Sequence, residues 1–176
     1  MKKFKNTVEE SFNQWCIEAK AGGVISYFEY EPETIQLIPK ATTVRHKQLK
    51  TKIKTVDKFL LNPLSYTADF YIRSINNLEH LGLTYTHISN GEYFYAIDTK
   101  GGFQQHNDAK YFSAIRKVVY SFNGVFVNKV VCEKWFLKTF CPLPTRDKED
   151  LVWTDKFPRR KRSTFKNCKT YEQLQK

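Results

Sequence analysis

The stretch GEYFYAIDTKGG, residues 91–102, joins an aromatic and aliphatic run to two opposite charges and two closing glycines. β-Branched and aromatic residues bounded by glycine turns are typical of a strand. Side chains alternate between the two faces of a strand, so Asp98 and Lys100 share one face while Ile97 and Thr99 share the other. A buried ion pair is a weak source of stability, because desolvation of each ion costs several kcal/mol. The pair therefore indicates chemistry in a cleft.

A second carboxylate lies on the strand that is predicted to neighbour this one. Residues 65–75, SYTADFYIRSI, alternate as a strand does and contain Asp69. Mg²⁺ takes oxygen ligands and usually uses only one or two carboxylates. Such a metal assists phosphodiester hydrolysis by lowering the pKa of a bound water, and a lysine beside it orients that water. We therefore predict Asp69 and Asp98 as metal ligands and Lys100 as a catalytic residue.

A third predicted ligand comes from the first helix. Residues 8–21, VEESFNQWCIEAKA, place apolar side chains three and four positions apart, which predicts an amphipathic helix. Glu9 precedes the core-facing Phe12 by three residues and would point from the helix toward the sheet. Glu10 is the competing choice, since it lies about 100° further round the helix. Glu9 is the predicted catalytic and metal-binding carboxylate of this helix.

The remaining pattern predicts an α/β layer around one central sheet. The other predicted elements are strands over residues 25–30, 34–38 and 124–132 and a helix over residues 108–122. Residues 40–58 are polar and basic with a poor helical pattern, and we expect a loop that orders on binding DNA. The composition becomes polar and proline-punctuated after Phe140, which predicts a core domain of residues 1–140 and a basic C-terminal extension of residues 141–176.

Charge is the main compositional clue to function. The chain of 176 residues has 29 Lys and Arg against 18 Asp and Glu, a net charge of +11. This excess favours a polyanion such as nucleic acid, because basic side chains that bind phosphates release condensed counterions. The predicted nucleic-acid contacts lie on the second helix and in the run PRRKRSTFK, and they are Arg116, Lys117, Arg159, Arg160, Lys161 and Arg162.

Other features argue against several classes of protein. The four cysteines form no CxxC pair and the four histidines supply no zinc spacing. The start MKKFKNTVEESF lacks the apolar centre of a signal peptide, and no window of the sequence is apolar over the length of a membrane span. We expect an intracellular protein in a reducing compartment, with no membrane partner and no small-molecule cofactor.

An acidic helix, then Asp69, then the triplet DTK of residues 98–100 resembles the motif series of the PD-(D/E)XK nuclease superfamily, over residues 7–132. The resemblance implies a restriction-endonuclease-like αβββαβ core, in which a central mixed sheet flanked by helices carries metal ligands on two adjacent strands. Two positions depart from the usual motif, since Ala68 stands where proline is common and Asp98 where glutamate is commoner. The helix TVEESFNQW resembles the one that supplies a further glutamate in phage and archaeal Holliday-junction resolvases.

The resemblance implies a Mg²⁺-dependent endodeoxyribonuclease, with Mn²⁺ as an alternative metal. It would cut branched or duplex DNA as a phage-type Holliday-junction resolvase in DNA recombination, in the cytoplasm of a bacterial host if phage-encoded. Such resolvases act as two-fold dimers, and we expect a homodimer whose interface contains the aromatics of WFLKTF, residues 135–140. The alternatives are a restriction- or transposase-like nuclease of the same superfamily and a non-catalytic basic nucleic-acid-binding or virion protein on the same fold.

Overall fold

The computed structural model describes residues 3–101, 106–146 and 168–174. Its elements, in chain order, are α1 (Thr7–Ala21), β1 (Tyr27–Tyr30), β2 (Ile35–Ile38), β3 (Ala41–Gln48), β4 (Ile53–Leu61), β5 (Leu64–Tyr66), β6 (Phe70–Ser74), a 3₁₀ turn (Glu79–Leu81), β7 (His87–Ser89), β8 (Glu92–Lys100), α2 (His106–Asn123), β9 (Val127–Val131), α3 (Cys132–Lys138), α4 (Leu143–Arg146) and α5 (Tyr171–Leu174). The fold is mixed α/β, as the sequence predicts, and its main sheet is mostly antiparallel.

Strand β8 is the centre of the main sheet. It pairs antiparallel with β6, which in turn pairs antiparallel with β1. The short β7 pairs antiparallel with the beginning of β8, and β9 pairs parallel with its end. Parallel strands need a crossover connection, and α2 provides it between β8 and β9. The aromatic run quoted at the outset is therefore the strand around which the others assemble.

A hydrophobic cluster covers each face of the main sheet. On one face α1 and α3 pack with Ile97, and on the other α2 packs with Ala96. The alternation of adjacent β8 residues thus divides the core into two layers. Large apolar side chains buried in this way, such as Trp15 and Phe112, each contribute about 1.5–3 kcal/mol to stability.

Helix α1 confirms the predicted amphipathic helix. The Asn6 side chain caps it by accepting hydrogen bonds from the backbone N–H groups of Val8 and Glu9, both at 2.9 Å. Its apolar face is fully buried, and it consists of Phe12, Trp15, Cys16 and Ala19. The predicted core position of Cys16 is therefore confirmed.

Two predictions about the segment between β2 and β8 are wrong. Residues 40–58 were expected to be a loop, but they fall in a β-hairpin of β3 and β4, closed by a turn in which Leu49 N–H donates to the Lys52 carbonyl at 2.8 Å. The strand expected over residues 65–75 is broken between β5 and β6. Each part joins a different sheet, because β5 pairs with β2 and β6 with β8.

The aromatics of the sequence WFLKTF do not form a surface. Trp135, Phe136 and Phe140 are buried in the α1-side cluster, so the expected dimer interface at these side chains is wrong. The reason is that the sequence continues after β9 into α3, a helix that was not predicted and whose aromatics pack on those of α1. Trp135 lies edge-on to Trp15 at 5.3 Å between ring centroids.

The described residues beyond Phe140 also contact the core. Cys141 and Cys168 are buried in the α1-side cluster, and the Cys141 N–H donates to the Lys169 carbonyl at 3.0 Å. The Tyr171 hydroxyl donates to the Gly22 carbonyl at 2.6 Å and so fastens this segment to the end of α1. Within the described ranges, no helix has the length and apolar character needed to cross a membrane.

Candidate active site

Asp98 and Lys100 form an ion pair at the end of β8. Lys100 Nζ contacts Asp98 Oδ1, which confirms that the two side chains share a face of the strand. The second carboxylate oxygen, Oδ2, accepts a hydrogen bond from the Tyr66 hydroxyl at 3.1 Å. Lys100 Nζ also lies 5.1 Å from the centre of the Phe112 ring on α2. Asp98 is only 5% exposed, so this carboxylate is held by one cation and one hydroxyl in a largely desolvated place.

Asp69 lies directly before β6, on the strand next to Asp98. Phe70 is opposite Ile97 in the last pair of the ladder, and Asp69 comes one position beyond that pair. The Asp69 oxygen Oδ2 accepts two hydrogen bonds from Thr99, one from the backbone N–H at 2.7 Å and one from Oγ1 at 2.8 Å. Asp69 therefore lies near the end of β8, within range of the Asp98 charge, which raises its pKa.

The two carboxylates interact electrostatically. Burial raises the pKa of Asp69, and the neighbouring Asp98 carboxylate raises it further. The hydrogen bonds from Thr99 and the charge of Lys100 act in the opposite direction and keep this pKa from rising more. Burial and the charge of Asp98 also raise the pKa of Tyr66, so its hydroxyl remains a donor to Asp98 at any ordinary pH. Two acids and one base give this edge of the sheet a local net charge of −1 when all three are ionised.

Glu9 points inward from α1, as predicted, and is 4% exposed. Its Oε2 accepts hydrogen bonds from the Tyr30 hydroxyl at 2.6 Å and the Lys5 backbone N–H at 3.0 Å. Its Oε1 accepts one from Asn6 Nδ2 at 2.8 Å. Because Asn6 is the N-cap and Glu9 stands three residues later, these bonds resemble the capping box that satisfies a helix N-terminus. The geometry assigns Glu9 a capping role, and its metal-binding role stays a prediction, as does the choice between Glu9 and Glu10.

The donor set at Asp69 and Asp98 suits a small divalent cation. Carboxylate oxygens are the ligands Mg²⁺ prefers, and it needs only one or two of them. Oδ1 of Asp69 accepts no hydrogen bond from the residues that the structure describes, and a cation between the acids would relieve the repulsion that raises the Asp69 pKa. Within those same residues, no group of three His, Cys, Asp or Glu side chains is arranged to hold a metal ion. Asp69 and Asp98 are therefore the two described carboxylates that could serve as ligands here.

The predicted nucleic-acid contacts on α2 lie beside this site. Arg116 and Lys117 line an open groove of about 590 Å³ between α2 and β9. The Arg116 guanidinium is held there between the rings of Phe126, at 5.0 Å, and Phe112, at 5.7 Å. Phe112 is also the ring beneath Lys100, which connects the groove to the carboxylates. The predicted contacts of the basic run, Arg159, Arg160, Lys161 and Arg162, lie outside the described residues.

Sequence reasoning missed the hydroxyl groups that position the acids. Thr99 was expected to face away from Asp98, yet its hydroxyl reaches Asp69 because that residue has already left the β6 ladder. Tyr66 was expected within the Asp69 strand, yet it belongs to the separate pairing of β5 and β2. Their one sequence signal is composition, since a Thr inside the Asp-x-Lys triplet and a Tyr three residues before Asp69 are both hydroxyl donors.

Known proteins provide no template for the site. No protein-family model, no curated protein and no solved structure matches the chain. Function is therefore argued from three properties of this molecule: the paired acids with their lysine, the order of helices and strands around them, and the net charge of +11.

Proposed function

We propose that this protein is a Mg²⁺-dependent endodeoxyribonuclease with a restriction-endonuclease-like core, and that it resolves branched DNA. The observation that carries the proposal is the electrostatic interaction of Asp69 with Asp98, together with the Lys100–Asp98 ion pair, at one end of the central strands of the main sheet. A protein that binds nucleic acid without metal gains nothing from two desolvated carboxylates, because they repel phosphates. With a metal, the same acids become the means of holding it against a phosphate.

The order of elements supports this choice of core. Leaving aside the β2–β5 insertion and the short β7, the main sheet is built in the order α1, β1, β6, β8, α2, β9. That order is helix, three antiparallel strands, helix and one parallel strand, the αβββαβ series that the motif resemblance implies. Both acids and the lysine then fall on two adjacent central strands.

Each residue has a defined part in the proposed reaction. Asp69 and Asp98 would hold the cation, and the two hydrogen bonds from Thr99 and the one from Tyr66 fix these carboxylates in place. Mg²⁺, when bound, supplies charge neutralisation and a water of lowered pKa. Lys100 would donate to the attacking water or to the scissile phosphate, a role that suits a flexible ammonium with three donors.

Branched DNA is proposed as the substrate because the helix TVEESFNQW resembles that of Holliday-junction resolvases. A resolvase must cut two symmetric strands. A two-fold dimer would present two Asp69–Asp98 pairs related by the symmetry of the junction. The net charge of +11 supports a substrate on which several duplex arms contact the protein together.

The test uses a labelled four-way junction, a linear duplex of the same sequence and the single strands, each with Mg²⁺, Mn²⁺ or EDTA. The proposal expects paired nicks on the junction that vanish in EDTA and in Asp98→Asn, while Glu79→Gln, at an exposed acid remote from the pair, cuts normally. Circular dichroism checks that both variants are folded. Equal cutting of junction and linear duplex would point to a restriction- or transposase-like nuclease instead.

Two observations favour a second candidate function. Within the described residues no third His, Cys, Asp or Glu side chain completes a metal-binding group with the two acids, and Lys100 is ion-paired with one of them. Both features suit a basic protein that binds nucleic acid on this fold without cutting it. Tight junction binding in EDTA, with no cleavage in Mg²⁺ or Mn²⁺ and no change of affinity in Asp98→Asn, would establish that function and refute the nuclease.

A further inference from the structure

The hairpin of β3 and β4, residues 41–61, forms an arm that stands apart from both core clusters. Every residue of β4 and every residue of β3 after Ala41 is exposed. No other described helix or strand makes an extensive contact with it. An isolated two-stranded hairpin is marginally stable in water. The arm therefore adds little to the stability of the fold, and a binding role explains it better.

The arm grows directly out of the candidate site. The β2–β5 pairing ends with Ile38 opposite Leu64. Three positions further on in each strand, the β3–β4 pairing begins with Ala41 opposite Leu61. The two pairings are therefore one ribbon, interrupted where prolines remove backbone donors on both strands. Its root contains Tyr66, the donor to the buried acid of β8.

The two faces of the arm differ in charge. Residues directly opposite in an antiparallel pair lie on the same face, and successive residues alternate between faces. One face carries four cations and no acid, and its residues are Thr43, Arg45, Lys47, Lys54, Val56 and Lys58. The other face carries no Lys or Arg, and its residues are Thr42, Val44, His46, Gln48, Ile53, Thr55, Asp57 and Phe59.

Repulsion between the cations of the basic face lowers the stability of the arm. Lys47 stands directly opposite Lys54, and like charges in such a pair are destabilising. None of the four cations is ion-paired with any residue that the structure describes. A shallow hollow of about 600 Å³ runs along these cations and is also lined by Leu49 and Asp57. A concave surface of unpaired, mutually repelling cations is complementary to a polyanion.

We propose that the basic face of the arm docks on duplex DNA, with the ribbon along the major groove and its cations on the flanking phosphates. The major groove of B-form DNA, about 12 Å wide, admits a two-stranded ribbon. The deep and narrow major groove of an A-form RNA duplex does not. The choice of DNA rests on the proposed function, whereas docking itself needs neither metal nor cleavage.

The length of the arm sets the footprint. Eight residues at about 3.3 Å each carry β3 about 26 Å from its root, which is less than one turn of the duplex. The contact would thus extend along one duplex arm, beyond the root of the ribbon that holds Tyr66. Such a placement orients the duplex relative to the scissile phosphate.

The test measures binding to a labelled DNA duplex by fluorescence anisotropy, in EDTA, from about 50 to 200 mM KCl. The variant is Lys47→Gln/Lys54→Gln. The matched control is Lys20→Gln/Lys134→Gln, which removes the same charge from exposed positions on α1 and α3. Docking predicts weaker binding and a slope of log affinity against log salt that is smaller by about 1.8 for the arm variant, because each lost phosphate contact removes about 0.9. Its thermal midpoint should not fall, since a repulsion is removed.

Three results would overturn the inference. The first is an equal loss of slope in the control, which would make the effect one of net charge alone. The second is an unchanged slope in the arm variant. The third is an equal loss on an A-form RNA duplex, which would make the partner a generic polyanion. Cleavage assays are independent of these outcomes, because docking can fail while Asp98→Asn still abolishes cutting, and docking can hold in a protein that cuts nothing.

Discussion

Replacing Asp69 with asparagine is expected to stabilise the metal-free protein while it abolishes cleavage. Asp69 lies one position beyond the Phe70–Ile97 pair that ends the β6–β8 ladder, and the charge of Asp98 raises its pKa. Two like charges about 5 Å apart at an effective dielectric constant of about 20 repel by about 3 kcal/mol. Asparagine removes this repulsion and keeps an oxygen for the Thr99 donors, but bonds to a neutral acceptor are weaker, by about 1–2 kcal/mol for the two together. The net gain is about 1–2 kcal/mol.

The assay is thermal unfolding followed by circular dichroism, in EDTA at neutral pH. For a chain of this size the gain corresponds to a rise in Tm of roughly 2–8 °C. The difference should depend on pH with a definite sign. The folded state raises the pKa of Asp69, so the destabilising contribution is present above that raised pKa. This destabilising contribution disappears as the pH falls through the raised pKa toward the ordinary value of 3.8, because Asp69 of the folded wild type then becomes protonated and uncharged.

Mg²⁺ should reverse the order of stability. A ligand that binds only the folded state stabilises it by about 2.7 kcal/mol at a hundred times its Kd. Wild type gains this and the variant, with one carboxylate fewer, gains less. Glu79→Gln serves as the control, since it removes a charge at an exposed site and should change Tm little with or without metal. A variant less stable than wild type in EDTA, or equal Mg²⁺ stabilisation of both, would refute the metal pair.

Three further predictions concern neighbouring groups. Tyr66→Phe removes the donor to Asp98 and should lower the free energy of unfolding by about 1–2 kcal/mol in a urea titration, with slower cleavage; unchanged stability would contradict the bond. Glu9→Gln weakens the α1 cap and should lower the free energy of unfolding by about 1 kcal/mol. Its Mg²⁺ affinity, measured by calorimetry, should not change. A tenfold loss of affinity would instead show that Glu9 is a metal ligand. Phe136→Ala opens the core and should cost about 3–5 kcal/mol in the same titration; a change below 1 kcal/mol would mean that α3 does not pack on α1.

The sequence predicted those elements whose own pattern decides their structure. Helix α1 and strand β8 have strong periodicity and clear ends, and both occur as expected. The arm was not predicted because its strands are exposed on both faces and rich in lysine, so they lack the alternation that a half-buried strand shows. Helix α3 was missed for a related reason, since it is one short amphipathic stretch whose aromatics acquire their role only against Trp15.

The candidate site was likewise predicted only in part. Strand alternation alone put Asp98 and Lys100 on one face, and they form an ion pair. The positions of Thr99 and Tyr66 relative to the acids depend on how separate strands meet, because their bonds join residues 30 and 32 positions apart in the chain. Local pattern carries no information at that range, so the hydroxyl donors emerge only from the fold.

Because the β3–β4 pairing follows the β2–β5 pairing along the same two strands, the length of the arm can change without altering its root. Side chains in a paired strand repeat every second residue, so a one-residue insertion near Tyr66 would turn its hydroxyl to the opposite face and away from Asp98. Additions at the turn of residues 49–52, by contrast, lengthen both strands and leave the root in place. The arm can therefore be changed in length and tip sequence while its first residues stay fixed. Grafting a longer tip offers a route to redesign how far from the acids the protein grips its partner.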